Sequence, residues 1–274
     1  MLKERAITAA ILLVLFLAAL FALPNLAWLL LIVVMVAQGT AEWSRMAQLS
    51  NSLSKLYWWA SVLAMMGLLW ADSQLTGQSL LWLHLVVYAF AALLWLIIVP
   101  TWMIVGWKVK QPVLMMAVGW MVLIPTGLAM LDLRVESPWL LLFIMALVWV
   151  ADSAAYFTGR KFGKNKLAPS ISPGKTWEGV AGAMVGVTVY VLLIGFLTPA
   201  FVQYALLPVL VVTAWWWVGL AVIGDLFESA IKRQAGLKDS GALLPGHGGL
   251  LDRIDALTST LPLAALAVLL QRLG

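Results

Sequence analysis

The sequence predicts an all-α fold: a polytopic integral membrane helix bundle of about nine transmembrane helices with a cytoplasmic N-terminus. Three observations lead there. The 274 residues are 64% hydrophobic and only 11% charged, with a mean hydropathy of +1.00, whereas a soluble domain carries about 25% charged residues to face water. The apolar residues fall into runs close to the roughly 20 residues that cross a bilayer. The basic residues crowd into alternate connections, the pattern left when Lys and Arg are held in the cytoplasm during insertion. Cysteine is absent, which excludes disulfides, thiolate chemistry and Cys-ligated metals. The net charge of +5 follows the membrane topology and does not mark a nucleic-acid binder.

In order, the runs lie near 6–23, 25–41, 56–71, 80–99, 112–131, 138–158, 177–197, 203–224 and 254–271. Lys3 and Arg5 give the first run the look of a signal peptide. However, no small-x-small cleavage site follows, and a second run starts directly after Pro24-Asn25. The third run is short enough for a tilted or interfacial segment. Nine spans put 15 of the 17 basic residues on the N-terminal side, leaving only Arg134 and Arg272 opposite. With no organelle-targeting feature, the expectation is a bacterial-type inner membrane, N-terminus inside. The chain reads as a single membrane domain over 1–274, with spans over 1–148, cytoplasmic-face motifs over 149–255 and a last span over 254–271.

Two long connections, 159–176 and 225–253, fall on the cytoplasmic side, and loops beyond about a dozen residues are usually functional. Asp152 lies near the end of the sixth span, where a carboxylate needs a partner or water, as a helix-end ion pair or within a site. In Ser172-Pro-Gly-Lys175-Thr176-Trp-Glu178-Gly179, Pro173 and Gly174 read as a turn, Thr176 as the cap of the seventh helix and Glu178 as an acid in its first turn. The free N–H groups there, beside Lys175, suit a phosphate. An ordinary turn with a solvated lysine gives the same pattern, and the P-loop spacing is missing.

If the eighth helix continues past the membrane surface, Asp225, Glu228, Ser229 and Lys232 share one face. A plain amphipathic helix end would explain that much. It does not explain the sequel, Lys238-Asp239-Ser240-Gly241 and then Leu244-Pro-Gly-His247-Gly-Gly-Leu-Leu-Asp252-Arg253-Ile-Asp255. Glycines around His247 let backbone N–H groups approach a ligand, and Asp252, Arg253 and Asp255 open the last helix. Oxygen ligands without cysteine suit Mg²⁺, which takes one or two carboxylates, waters and substrate phosphates. These groups fit transfer chemistry on a nucleotide phosphate.

The stretch from Ser229-Ala-Ile-Lys-Arg through Lys238-Asp239 to Gly246-His247-Gly-Gly-Leu-Leu-Asp252-Arg253-Ile-Asp255 resembles the signature of phosphatidate cytidylyltransferases, or CDP-diacylglycerol synthases. Asp152-Ser-Ala-Ala-Tyr156-Phe-Thr-Gly159-Arg160 and Ser172-Pro-Gly-Lys175-Thr-Trp-Glu-Gly179 are similar to two upstream motifs of that family. One departure is Gly174, where relatives often carry lysine. The resemblance implies that CTP and phosphatidic acid give CDP-diacylglycerol and pyrophosphate. It also implies Mg²⁺ with K⁺, a metal centre held most directly by Asp225 and Asp252, and a homodimer.

On this reading Lys175, Lys238 and Arg253 neutralise the triphosphate, and His247 either donates to a phosphate oxygen or shapes its turn. Ser172, Asp152, Ser229, Lys232 and Arg233 join the substrate contacts, with Asp152 and Asp255 as further candidate metal ligands. Another CTP-dependent lipid enzyme would carry similar headgroup chemistry. An ion or solute transporter would instead place ionisable residues mid-membrane within paired repeats. Elsewhere, Trp58-Trp59 and Trp215-Trp216-Trp217 read as interfacial anchors and packing, His84 as hydrogen-bonded structure, and Met115-Met116 as adaptable packing.

Overall fold

Helices stand at each of the nine places where an apolar run was expected. In this computed structural model, which describes residues 2–197, 207–243 and 248–273, they are α1 (Leu2–Ala22), α2 (Asn25–Met46), α3 (Asn51–Gln74), α4 (Gly77–Val105), α5 (Pro112–Glu136), α6 (Pro138–Phe162), α7 (Trp177–Leu197), α8 (Leu207–Gln234) and α9 (Leu251–Gln271). Seven, all but α1 and α3, are long and apolar enough to cross a membrane. Their outward residues include Leu30, Val34, Phe90, Val185 and Leu193, all well exposed, a surface suited to lipid rather than water. The chain is a multi-pass helical membrane protein.

Local chemistry sets the breaks. Pro112 and Pro138 start helices where a missing N–H is harmless. Ser50 accepts the Leu53 N–H at the start of α3 (3.4 Å). Within α4 a π-helical turn, Leu94–Ile98, precedes Pro100, whose ring removes a donor and crowds the preceding turn. One boundary moves and one expectation changes. The α2 helix runs to Met46, past the end of the 25–41 run, and carries Glu42 and Arg45. Pro173 and Gly174 are not a turn: they lie in β2 (Ser172–Thr176), which pairs antiparallel with β1 (Lys166–Ala168). The reversal falls at residues 169–171, where the Ile171 N–H donates to the Ala168 carbonyl.

The core runs the length of the bundle through Trp28, Trp43, Tyr57, Tyr88, Trp95 and Phe227. A second cluster, including Ala151, Ala183, Val187 and Val218, joins α6, α7 and α8. Successive helices alternate direction. One end therefore gathers the C-termini of α2, α6 and α8 with the N-termini of α7 and α9, and the β-hairpin hangs there.

Candidate active site

Small residues bring the site's elements together. On α6 and α7, a Cβ at Gly179 would meet the Ala155 carbonyl at 3.0 Å, and one at Gly186 would meet the Ala154 side chain at 2.6 Å. A Cβ at Gly182 would strike Thr158. On α8, a Cβ at Gly224 would meet Ser259 Oγ at 2.5 Å and the Asp255 carbonyl at 2.7 Å on α9, where Ser259 Oγ donates to the Leu220 carbonyl (2.8 Å). Close small-residue crossings of this kind replace the hydrophobic drive that lipid does not supply. They set Asp152 on α6, Asp225 on α8 and Asp255 on α9 within electrostatic reach of one another.

The hairpin adds the first cation. Lys175 on β2 reaches Asp225 at 2.6 Å, with side chains 23% and 31% exposed, and its charge also bears on Asp152. As expected, Thr176 caps α7, accepting the Gly179 N–H (3.1 Å). Glu178 accepts both the backbone and side-chain N–H groups of Asn165, fixing the hairpin's near strand to the helix start.

The second cation is buried. Lys232 donates to Glu228 (3.0 Å), on the helix face expected from their spacing, and to Asp252 Oδ1 (2.5 Å), making a triad that spans α8 and α9. Asp252 Oδ2 accepts the Ser240 N–H (2.9 Å) and the Gly249 N–H (2.8 Å), and the Ser240 hydroxyl lies 3.0 Å from it. Glu228 Oε1 is buried with no hydrogen-bond partner among the described residues. Ser229 donates to Asp225 at 3.4 Å.

Of the remaining expected residues, Arg233, Lys238 and Arg253 are exposed at this end and form no ion pair among the described residues; Arg233 donates to the Leu237 carbonyl (2.8 Å). Ser172 is half-buried in β2. His247 lies outside the described residues. The glycines nearest α9 have a use the sequence did not disclose. A Cβ at Gly248, where φ is +83°, would meet Asp252 Oδ2 at 2.6 Å. One at Gly241 would meet Glu42 Oε1 at 2.8 Å, and one at Gly249 would collide with Ser240 and Glu42. The backbone they free approaches the protein's own carboxylates.

Glu42 is the site residue that sequence reasoning missed. It is 2% exposed and accepts from Gln38 Nε2 (2.9 Å), Ser240 Oγ (2.8 Å) and the Leu250 and Leu251 N–H groups (2.8 and 2.9 Å). The available signal was an acid between Ala41 and Trp43, continuous with an apolar run.

The donor set suits a hard cation. Five carboxylates, Asp152, Asp225, Glu228, Asp252 and Asp255, face two lysines, Lys175 and Lys232, and one buried carboxylate oxygen has no hydrogen-bond partner among the described residues. Like charges about 4 Å apart repel by about 4 kcal/mol at an effective dielectric near 20, so such a group needs cations. No three of these carboxylates form a ready-made cage among the described residues.

Comparison with known proteins agrees with this chemistry. The sequence is 40% identical over 267 residues to the phosphatidate cytidylyltransferase of Pseudomonas aeruginosa, covering 97% of this chain and 96% of that protein. It is 35% identical over 279 residues to the phosphatidate cytidylyltransferase of Haemophilus influenzae, covering 96% of each. The enzyme of that name from Thermotoga maritima matches at 44% over 130 residues, 45% of this chain and 46% of that protein. The sequence model of the cytidylyltransferase family matches residues 3–271, and the chain belongs to that family.

Proposed function

We propose that the chain transfers the CMP group of CTP to phosphatidic acid, giving CDP-diacylglycerol and pyrophosphate. A phosphate oxygen of phosphatidic acid attacks the α-phosphorus of CTP. The bond from that phosphorus to the pyrophosphate oxygen breaks, and pyrophosphate leaves with the electron pair. The attacking phosphate is already ionised near neutral pH, so no covalent intermediate or strong base is required. The protein's task is to hold two polyanions in line and offset their repulsion.

The observation that carries this reading is the meeting at one end of the bundle of Asp152, Lys175, Asp225, Lys232 and Asp252, drawn from four separate segments, in a chain with near-full-length relatives named for the reaction. Lys175 and Lys232 are already in place, and the exposed Arg233, Lys238 and Arg253 stand by to neutralise the triphosphate. Ser172 and Ser229 offer hydroxyl donors to phosphate. His247, in the glycine-rich stretch of sequence, is assigned either a donor contact to a phosphate oxygen or a role in shaping that stretch.

Asp225 and Asp252 would hold Mg²⁺, with Asp152 and Asp255 as further carboxylates beside them. Bound there, Mg²⁺ would neutralise phosphate charge, and K⁺ is the second ion in this proposal. The surplus of carboxylates over lysines supports a bound cation at this place. We place the site at the cytoplasmic face of a bacterial inner membrane, in a nine-span chain with its N-terminus inside. The 15-to-2 division of basic residues supports this orientation. CTP then arrives from water, while the acyl chains of phosphatidic acid stay in the bilayer. A homodimer is the proposed assembly, to be read from the mass of the purified particle.

The test is purified protein with radiolabelled CTP and a panel of phosphatidic acid, an isoprenoid-ether phosphatidate and diacylglycerol. The expected result is cytidine label in lipid with phosphatidic acid, stoichiometric pyrophosphate and dependence on Mg²⁺. Transfer of the γ-phosphate to diacylglycerol would overturn the proposal in favour of a lipid kinase.

A further inference from the structure

We infer that Glu42 is a positioning residue for the transfer reaction, acting from α2 on Asp252 through Ser240 and the first turn of α9. The inference rests on the site proposed above. A carboxylate 2% exposed normally requires a cation, yet no Lys, Arg or His forms an ion pair with Glu42 among the described residues. Four donors replace one: Gln38 and the Leu250 N–H on Oε1, Ser240 and the Leu251 N–H on Oε2.

Two of those donors explain why the charge sits there. The first N–H groups of a helix have no partner within it and carry partial positive charge. Leu250, at the cap position of α9, supplies no side-chain cap. Glu42, some 208 residues upstream, supplies the cap from another helix. Asp252 takes the Gly249 N–H, so two carboxylates from different helices share the start of α9.

Ser240 joins them. Its hydroxyl stands 2.8 Å from Glu42 Oε2 and 3.0 Å from Asp252 Oδ2, while its N–H donates to Asp252. The single Ser240 hydroxyl proton is shared between the two carboxylates, the shorter contact being to Glu42. Removing Glu42 would turn that proton to Asp252 alone and release the helix turn that carries the Asp252 backbone. Glutamine is close to isosteric, but its amide nitrogen must face a backbone N–H at Leu250 or Leu251. Glu42→Gln therefore keeps the volume and breaks the cap. Gly241 and Gly249 both pack against the Glu42 carboxylate, leaving no room there for a side chain.

The experiment compares purified full-length wild type, Glu42→Gln, Ser240→Ala, the double variant and Asp252→Asn. Steady-state kinetics are normalised to folded protein, and backbone amide exchange is followed over residues 236–252. For Glu42→Gln the expected result is a kcat lower by roughly tenfold or more, the range for partners that orient metal-site ligands. KM for phosphatidic acid stays unchanged and exchange at Leu250 and Leu251 quickens. Ser240→Ala falls less, and the double variant falls no further than Glu42→Gln.

A wild-type kcat per folded molecule in Glu42→Gln, with Asp252→Asn inactive, overturns the positioning role and leaves the site standing. The same holds if Glu42→Gln lowers only the folded fraction. Wild-type turnover in Asp252→Asn instead rejects the site itself. Should Glu42→Gln fail to fold, Ser240→Ala decides alone: an unchanged kcat there overturns the proposal.

Discussion

Two polar clusters occupy opposite ends of the bundle, and they differ in how far they close on themselves. At the far end, His84 Nε2 meets Asp72 at 2.7 Å and Nδ1 meets Asp132 at 2.9 Å, while the Tyr88 hydroxyl donates to Asp132 (2.6 Å). Arg134 donates to the Leu20 and Leu23 carbonyls and to Asn25, and stacks over Trp28. Arg272 pairs with Glu136. A cavity of about 300 Å³ opens beside this cluster, yet the groups that line it mostly spend their capacity on one another. At the site end, acids outnumber the engaged lysines, one buried oxygen has no partner, and exposed cations stand unpaired among the described residues. An ionisable side chain in a membrane helix is a default functional candidate. Among the described residues the two ends thus differ in how much of their charge is satisfied.

The largest effect that could break this contrast is the loss of one carboxylate from each end. Asp225→Asn should lower CTP-dependent CDP-diacylglycerol synthesis by a factor of about 10² to 10³, the scale for removing a group that stabilises developing charge, without loss of folded protein. Asp132→Asn should leave kcat per folded molecule unchanged and lower thermal stability by about 1–3 kcal/mol, because His84 and Tyr88 lose a charged acceptor. Steady-state assays and thermal unfolding in the same detergent read both. A far-end variant as inactive as the near-end one would erase the distinction.

Next in size is the loss of a buried cation. Lys232→Met leaves Glu228 and Asp252 facing each other without the ammonium between them, and breaking a buried ion pair costs about 3–5 kcal/mol. Arg134→Met removes a cation whose partners are carbonyls and an amide at a partly exposed turn, so unfolding should shift less. Equal shifts would mean that Lys232 is no more committed to its acids than Arg134 is to its carbonyls.

Much of this contrast was legible in the sequence, because helix period and residue spacing act locally. The spacing of Asp225, Glu228, Ser229 and Lys232 placed them on one face, and the Glu228–Lys232 contact forms there. Thr176 capped its helix as its position suggested, and His84 proved hydrogen-bonded. Non-local partners were not legible. Nothing near Glu42 in sequence announces donors some 200 residues away. Pro173-Gly174 read as a turn because that dipeptide favours turns, whereas the strand is set by pairing with residues 166–168. Lys232 bridging to Asp252 likewise depends on the α8–α9 crossing at Gly224, a steric fact no period encodes.

A smaller effect tests whether that kind of steric fact sustains the site. Gly182→Val places methyl groups against Thr158 at the α6–α7 crossing, and overpacking typically costs about 1–3 kcal/mol. Because α7 starts directly after the strand that carries Lys175, the displacement should also raise KM for CTP. An unchanged KM alongside lowered stability would show that the Lys175–Asp225 contact tolerates movement of the helices behind it.

The smallest expected effect falls on the exposed cations. Lys238 is exposed and forms no ion pair among the described residues, so folding does not depend on it. If it serves the triphosphate, it acts over water, where screening sets its reach: the Debye length is about 10 Å at 0.1 M salt and about 3 Å at 1 M. Lys238→Gln should therefore raise KM for CTP a few-fold at low ionic strength, with kcat and stability unchanged, and the difference should vanish as salt is added. Arg272→Gln, equally exposed but at the far end and paired to Glu136, should leave KM for CTP unchanged at every salt concentration. A salt-independent effect of Lys238→Gln would mean a direct contact rather than a diffuse field. No effect at any salt concentration would remove Lys238 from the nucleotide's surroundings.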